Sequence, residues 1–353
     1  MRHVISAVCV RCGAEHEAVP NVTTCHKCGG ILDIKYDYNH IKEHLTKEQL
    51  TERKDYSMWR YREFLPVGEE GNYPKLRVGW SPLYKADRLA RALGLDTLYL
   101  KDDGQNPTSS LKDRASALAV VKAREAGRTP LPAPPPATPP PPWRAMRRRP
   151  GCPPTSLCPA APQGKVAQLR IFGATVISVE GSYEDTFELS RAAIDRWGWY
   201  NRNAAINPYL SEGKKTVTLE ILEQLGWQTP DYIALSVGDG CTIAGAWKGL
   251  KDLYAAGFID RLPRLISVQA EGCCPLNRAI ETGKPWEPMA ENTLADSIAV
   301  GVPRNPDKAL RAIRESDGVA VNVSDGEILE AMRLLGRTQG CLASPRGRPA
   351  PPG

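Results

Sequence analysis

The chain has 353 residues, 42% of them hydrophobic and 24% charged, an ordinary balance for a globular protein with room for two cores and a small appendage. No run of 18 or more apolar residues occurs, which excludes a spanning helix, and residues 1–10 lack a secretory apolar stretch, so the expected compartment is the cytoplasm. The formal charge of +6 invites a nucleic-acid partner, but Arg144, Arg147, Arg148, Arg149, Arg346 and Arg348 account for all of it and sit in two anomalous segments. Neither nucleic acid nor membrane is therefore expected as a partner.

Residues 1–34 form the first unit. Cys9-x2-Cys12 and Cys25-x2-Cys28 are separated by twelve residues, and two such knuckles in a cytosolic chain read as zinc ligands rather than disulfides. Four thiolates close a tetrahedral shell, so the zinc is expected to be structural. Gly13 and Gly29 follow the knuckles, where tight turns need them, and His16 and His26 are expected as solvated neighbours. Residues 35–95 read as an arm, polar and aromatic, that wraps the body and begins the larger domain.

From Asp96 the pattern becomes α/β. A strand is expected at 97–101 and a helix at 113–126. Further strands are expected at 174–179, 232–237 and 265–270, followed by helices at 183–196, 242–256 and 276–282. Strands alternating with helices imply parallel sheets covered on both faces. The expected fold is two open parallel-sheet α/β domains, a smaller one at 96–200 and a larger one at 201–340.

Two segments break the pattern. Fourteen of the 34 residues at 129–162 are proline, and no acidic residue occurs from 126 to 179. Read literally this is a stiff polyproline-like linker, yet a loop of that length is foreign to a compact α/β domain. A reading-frame slip is the sharper hypothesis. One permitted codon choice for residues 132–149, shifted by one base, decodes to a stretch containing Ser-Thr-Gly-Asn, and the tail at 341–353 shifted likewise decodes to a stretch containing Gly-Glu-Pro. Sequencing the gene across both segments decides between the two readings.

The stretch Asp103-Gly104-Gln105-Asn106-Pro107-Thr108-Ser109-Ser110-Leu111-Lys112-Asp113-Arg114 puts a lysine where a strand-loop-helix junction opens a helix. A helix N-terminus favours phosphates and disfavours a nearby ammonium, and a lysine that sheds its proton can condense with an aldehyde. Read bare, Lys112 could equally be a surface charge paired with Asp113. A second element, Gly238-Asp239-Gly240-Cys241-Thr242, follows a strand and opens a helix. Its backbone N–H groups can cradle a phosphate, with Cys241 as loop packing.

The first stretch resembles the lysine motif of the threonine synthases, Asn-Pro-Thr-Gly-Ser-Phe-Lys-Asp-Arg, with Ser109 in place of the glycine and Leu111 in place of the phenylalanine. Further matches at 58–65, 79–83, 165–174, 206–216 and 293–301 carry the resemblance over most of 55–125 and 163–340. It implies the fold type II architecture, with pyridoxal 5′-phosphate in the cleft between the two α/β domains. Lys112 is then the Schiff-base lysine and general base, and Gly238, Asp239, Gly240, Cys241 and Thr242 the cup for the cofactor's phosphate. The implied substrate is a small phosphorylated amino acid: O-phospho-L-homoserine and water give L-threonine and phosphate. The resemblance also implies a possible homodimer. Two family parts are absent as the sequence stands, the Ser-Thr-Gly-Asn turn and the region after the Glu-Pro motif, and both coincide with the anomalous segments. Cysteate synthase or another β-replacement enzyme is the sister reading, and a frameshift-damaged, inactive chain the alternative to either.

Overall fold

The computed structural model describes residues 3–68, 73–127, 155–159, 163–173, 175–180, 183–203 and 206–341. Most of the proline-rich segment and the tail after Cys341 lie outside these, and so do the two reading-frame expectations placed on them.

The N-terminal unit is a three-stranded antiparallel sheet, β1 (Val4–Cys9) between β2 (Glu15–His16) and β3 (Leu32–Tyr36). Alternate residues of β3, Leu32, Ile34 and Tyr36, are buried, the period-2 pattern of a half-buried strand. Two short helices follow, α1 (Tyr38–His44), capped by Asp37, and α2 (Lys47–Glu52), with a Thr46/Gln49 capping box. A 3-10 turn over Met58–Phe64 then packs five of its seven side chains inward.

From residue 83 to residue 197 the chain forms β4 (Leu83–Lys85), α3 (Asp87–Leu93), β5 (Tyr99–Lys101), α4 (Lys112–Glu125), β6 (Thr155–Pro159), α5 (Gln163–Ile171), β7 (Thr175–Val179) and α6 (Tyr183–Trp197). β6 and β7 pair in parallel. The strand expected at 97–101 is shorter, and it pairs antiparallel with β4. β6 forms from Thr-Ser-Leu-Cys-Pro as written.

From residue 208 to residue 339 it forms α7 (Pro208–Gln224), β8 (Tyr232–Ser236), α8 (Cys241–Ala255), β9 (Arg264–Ala270), α9 (Pro275–Thr282), α10 (Pro306–Glu315), β10 (Val319–Val323) and α11 (Asp325–Gln339). The sheet of this stretch is wholly parallel, in the order β10-β9-β8. α7, α10, α11 and β10 are elements that the chain-order reading does not assign. Among the described residues no helix is long and apolar enough to cross a membrane.

α7 is the axis of the molecule. Asn207 caps it, its side chain accepting from Tyr209 N–H at 3.0 Å, and Pro208 occupies the first turn. All its residues from Pro208 to Leu222 are buried, Glu212, Lys214, Lys215 and Glu220 among them. The helix packs between α4 and α8, and glycines set the spacing. A Cβ on Gly245 of α8 would lie 3.0 Å from the Ser211 carbonyl oxygen, and one on Gly249 2.7 Å from that of Lys215. Gly213 of α7 faces the Arg114 carbonyl of α4 closely enough that a Cβ would penetrate it. The consequence is that residues 211–215 of α7 touch the first turn of α4 on one side and the second and third turns of α8 on the other.

Gly213→Ala forces α4 and α7 apart, because the obstacle is backbone and cannot rotate away. The expected cost is about 1–3 kcal/mol, the usual penalty of overpacking a tight contact, read as a lowered urea midpoint with an unchanged m-value.

Candidate active site

Lys112 is the first residue of α4 and is half-buried; its N–H donates to Ser110 Oγ at 3.2 Å. The loop before it is irregular, so no ladder of backbone bonds can hold it, and side chains do that instead. Asn106 is buried: its Oδ1 accepts from Gly79 N–H at 2.9 Å and its Nδ2 donates to the Asp103 carbonyl at 3.0 Å. Thr108 donates its N–H to Asp113 Oδ2 at 2.7 Å, and its hydroxyl donates to Oδ1. Ser109 lies between these clamps with φ +55°. That left-handed conformation is unfavourable for a residue with a Cβ, and it explains why the related motif carries glycine there.

Below the loop lies a buried ion cluster. Arg114 has no exposed side-chain surface. It donates to Asp103 at 2.7 and 2.8 Å, to Glu220 Oε2 at 2.8 Å and to Thr216 Oγ1 at 3.0 Å. Glu220 also pairs with Lys101 at 2.8 Å and accepts from Trp80 N–H at 2.7 Å. Burial alone would raise both carboxyls, but the Arg114 guanidinium outweighs it and holds Asp103 and Glu220 below the ordinary carboxylate range. Two cations against two anions leave the cluster neutral. It joins four segments: the turn at 79–81, the end of β5, the start of α4 and the middle of α7.

The second element sits between β8 and α8. Gly238 and Asp239 are half-buried, Gly240 and Cys241 buried, and Thr242 half-buried. Gly240 has φ +85° and caps α8 without a side chain, and the first turn of α8 contains no acidic residue. The N–H groups of that turn thus form an uncapped, electropositive helix end. Both glycines are needed for space. A Cβ at 238 would meet Ile298 and Val300 at 3.2 Å, and one at 240 would meet Ala309 Cβ at 2.6 Å and the Asn305 carbonyl oxygen at 2.8 Å. This geometry fits a phosphoryl group held by backbone, and the helix that the turn opens packs on α7 as the lysine-bearing helix does. Burial pushes the Cys241 thiol up, so it stays protonated and packs, as expected of it.

Sequence reasoning singled out Lys112 and the glycine turn as candidates because each is local in the chain. Asn106, Asp113 and Arg114 lay inside the quoted motif, but nothing in it marked them as clamps. Glu220 and Asn305 carried no local signal at all.

The four cysteines of the N-terminal unit also converge. Their sulfurs all lie within 4.8 Å of one another, with Cys9–Cys28 at 3.4 Å, Cys12–Cys25 at 3.6 Å and Cys12–Cys28 at 3.4 Å. A tetrahedral zinc with Zn–S near 2.3 Å sets the sulfurs about 3.8 Å apart. The knuckles match: Gly13 N–H returns to the Cys9 carbonyl and Gly29 N–H to that of Cys25, with φ of +70° and +68°. His16 is more than a solvated neighbour, since its Nε2 lies 3.2 Å from Cys25 Sγ and its ring meets His26 edge-on.

Residues 148–350 match the family model described as pyridoxal-phosphate dependent enzyme. The threonine synthase of Methanosarcina acetivorans is 40% identical over 341 residues, covering 96% of this chain and 83% of that protein. That of Methanocaldococcus jannaschii is 37% identical, covering 96% and 84%. Among solved structures, maize serine racemase superposes with a TM-score of 0.64 at 19% identity over 75% of this chain and 78% of that one. The serine racemase of Dictyostelium discoideum gives 0.59 at 19% identity over 75% and 82%. These structural likenesses establish the fold, two α/β parts of the fold type II kind.

The Asp113 clamp generates a pH dependence. Burial pushes its carboxyl up to about 7, outweighing the two Thr108 hydrogen bonds that act the other way. A carboxyl raised on folding contributes stability that is full below its ordinary value of 3.8 and is lost as pH climbs through about 7. Asp113→Asn removes that titration, so its unfolding free energy is expected to fall less steeply than the parent's between pH 4 and 7. Urea midpoints across that range check this, and parallel profiles would contradict it.

Proposed function

The chain belongs to the threonine synthases, pyridoxal-phosphate-dependent carbon–oxygen lyases, and from that membership we propose that Lys112 is the amine that holds the cofactor and that Gly238, Asp239, Gly240, Cys241 and Thr242 seat its phosphate. The observation carrying this reading is the pairing of a clamped lysine at one helix start with an uncapped, glycine-backed helix start, on two helices that both pack against α7. The reaction is conversion of O-phospho-L-homoserine and water to L-threonine and phosphate. Bound pyridoxal phosphate supplies the electron sink for carbanion character in the substrate.

The residues of this chain do the rest. Lys112 Nζ would take the proton from Cα, pass it to the substrate's phosphate and then take one from Cβ. The Cγ–O bond breaks and phosphate leaves with its electron pair. The Cβ proton goes to Cγ, and water adds its hydroxyl at Cβ while its other proton goes to Cα. Each transfer needs Nζ at a fixed place, which is what the Asn106, Thr108–Asp113 and Arg114 contacts provide. The N–H groups at the start of α8 hold the phosphate without a counter-charge that would compete for protons.

We further propose that Cys9, Cys12, Cys25 and Cys28 bind one structural zinc, with His16 donating to the Cys25 thiolate as an outer ligand.

Borohydride reduction followed by peptide mass spectrometry is expected to find the cofactor on the peptide that contains Lys112. Lys112→Ala should lose that adduct and about 10²–10⁴-fold in turnover. Phosphate should be released from O-phospho-L-homoserine and not from O-phosphoserine; the reverse preference would favour the β-replacement reading. An adduct on a different lysine overturns the assignment.

A further inference from the structure

We propose that the cysteine ribbon is a positioning element for the phosphate seat, acting through the first turn of α10, with Lys308 as the residue that transmits its position. The inference rests on the zinc and phosphate-seat readings above and goes beyond both.

α10 has the seat on one side and the ribbon on the other. Toward the seat, Asn305 N–H donates to the Asp239 carbonyl at 3.0 Å and Arg304 N–H to Asp239 Oδ1 at 3.3 Å. Asn305 and Ala309 form the wall against which Gly240 is pressed. Toward the ribbon, Lys308 Nζ donates to the Leu32 carbonyl at 3.1 Å and pairs with Asp33 at 2.8 Å, while Arg311 donates to the Val10 carbonyl at 3.0 Å. Asp307 pairs with Arg11 at 2.6 Å. Val10 and Arg11 lie between two of the cysteines, and Leu32 and Asp33 follow the second knuckle closely. The Arg11–Asp307 pair is half open to solvent and contributes little. Lys308 is 9% exposed, so its two acceptors must be in place or its charge is stranded.

The backbone carbonyls that receive Lys308 and Arg311 belong to segments whose shape depends on the four-thiolate centre. A ribbon without its metal loses that shape. Lys308 then has no fixed acceptors, the first turn of α10 is free to shift, and the wall behind Gly240 goes with it. Because coupling between two binding sites is reciprocal, zinc must strengthen cofactor binding by the same factor that the cofactor strengthens zinc binding.

The test uses the full chain carrying zinc and pyridoxal phosphate. Equilibrium dialysis against graded cofactor gives its affinity before and after a chelator removes zinc, with circular dichroism confirming that the α/β body stays folded. Cofactor binding is expected to weaken about tenfold, and zinc to be held about tenfold more tightly against the chelator when cofactor is present. Lys308→Ala, still loaded with zinc, is expected to bind cofactor about tenfold less tightly and to reduce the coupling factor toward one, and Lys308→Arg to restore both. Unchanged cofactor affinity in both the zinc-free protein and Lys308→Ala overturns the proposal. If the parent protein neither contains nor takes up zinc, the four-thiolate reading fails on its own. The Lys308→Ala arm then still decides the mechanical link: weakened cofactor binding supports it and unchanged binding overturns it.

Discussion

Arg114 is fully enclosed, and its guanidinium ties the turn at 79–81, Asp103 just after β5 and the middle of α7 to the start of α4. Asp103 and Glu220 neutralise it, Lys101 neutralises the second carboxylate, and Ser81 and Thr216 satisfy the remaining donors. Such a cluster is a poor source of net stability, because desolvation of four charges offsets most of their attraction. Its value lies in geometry. The segments at 79–82 and 103–111 are turns with few apolar side chains, and van der Waals packing alone leaves such backbone free to slide. A planar guanidinium with five donors fixes direction as well as distance.

The same device recurs nearer the start of α7, where that helix packs on α8. Lys215 pairs with Glu212 and with Asp252 at 2.6 Å, and Lys248 pairs with Asp252. Tyr36 donates to Glu212 and Tyr38 to Asp252, each at 2.6 Å, and the Lys215 ammonium lies 4.0 Å from the Tyr36 ring centre. Here the tyrosines come from the end of the ribbon and the charges from α7 and α8. At the far end of the helix, Arg60 and Tyr61 engage Glu223, with Arg60 stacked 4.1 Å from the Trp80 ring centre. Three buried ionic groups along one helix thus dock the ribbon, the lysine turn and the arm onto a common axis.

That arrangement explains what the sequence revealed and what it hid. Strands such as β9 and helices such as α8 were legible because their apolar residues follow the periods of 2 and 3.6. The lysine loop and the glycine turn were legible because their chemistry is contiguous in the chain. α7 was not, since Glu212, Lys214, Lys215, Thr216, Thr218 and Glu220 interrupt the apolar period of a core helix, yet all are buried. A charge whose partner lies more than a hundred residues away, as Arg114 is from Glu220, leaves no local trace. β10 went unassigned although Val319, Val321 and Val323 alternate, and two of these valines remain 39% and 36% exposed, so it lies half open at the edge of its sheet.

Ser109 shows how the two levels meet. As a letter it is a mild exchange in a glycine position. As a conformation it is a left-handed residue with a Cβ, costing on the order of 1 kcal/mol relative to an unstrained backbone. The loop tolerates this because Asn106 and the Thr108–Asp113 pair constrain it from both sides, and because Leu111 and Lys112 have already turned helical beyond it. Strain held in this way works in the direction of function. A loop free to relax would carry the first turn of α4 with it, and the Lys112 amine would lose the fixed origin that its proposed role requires.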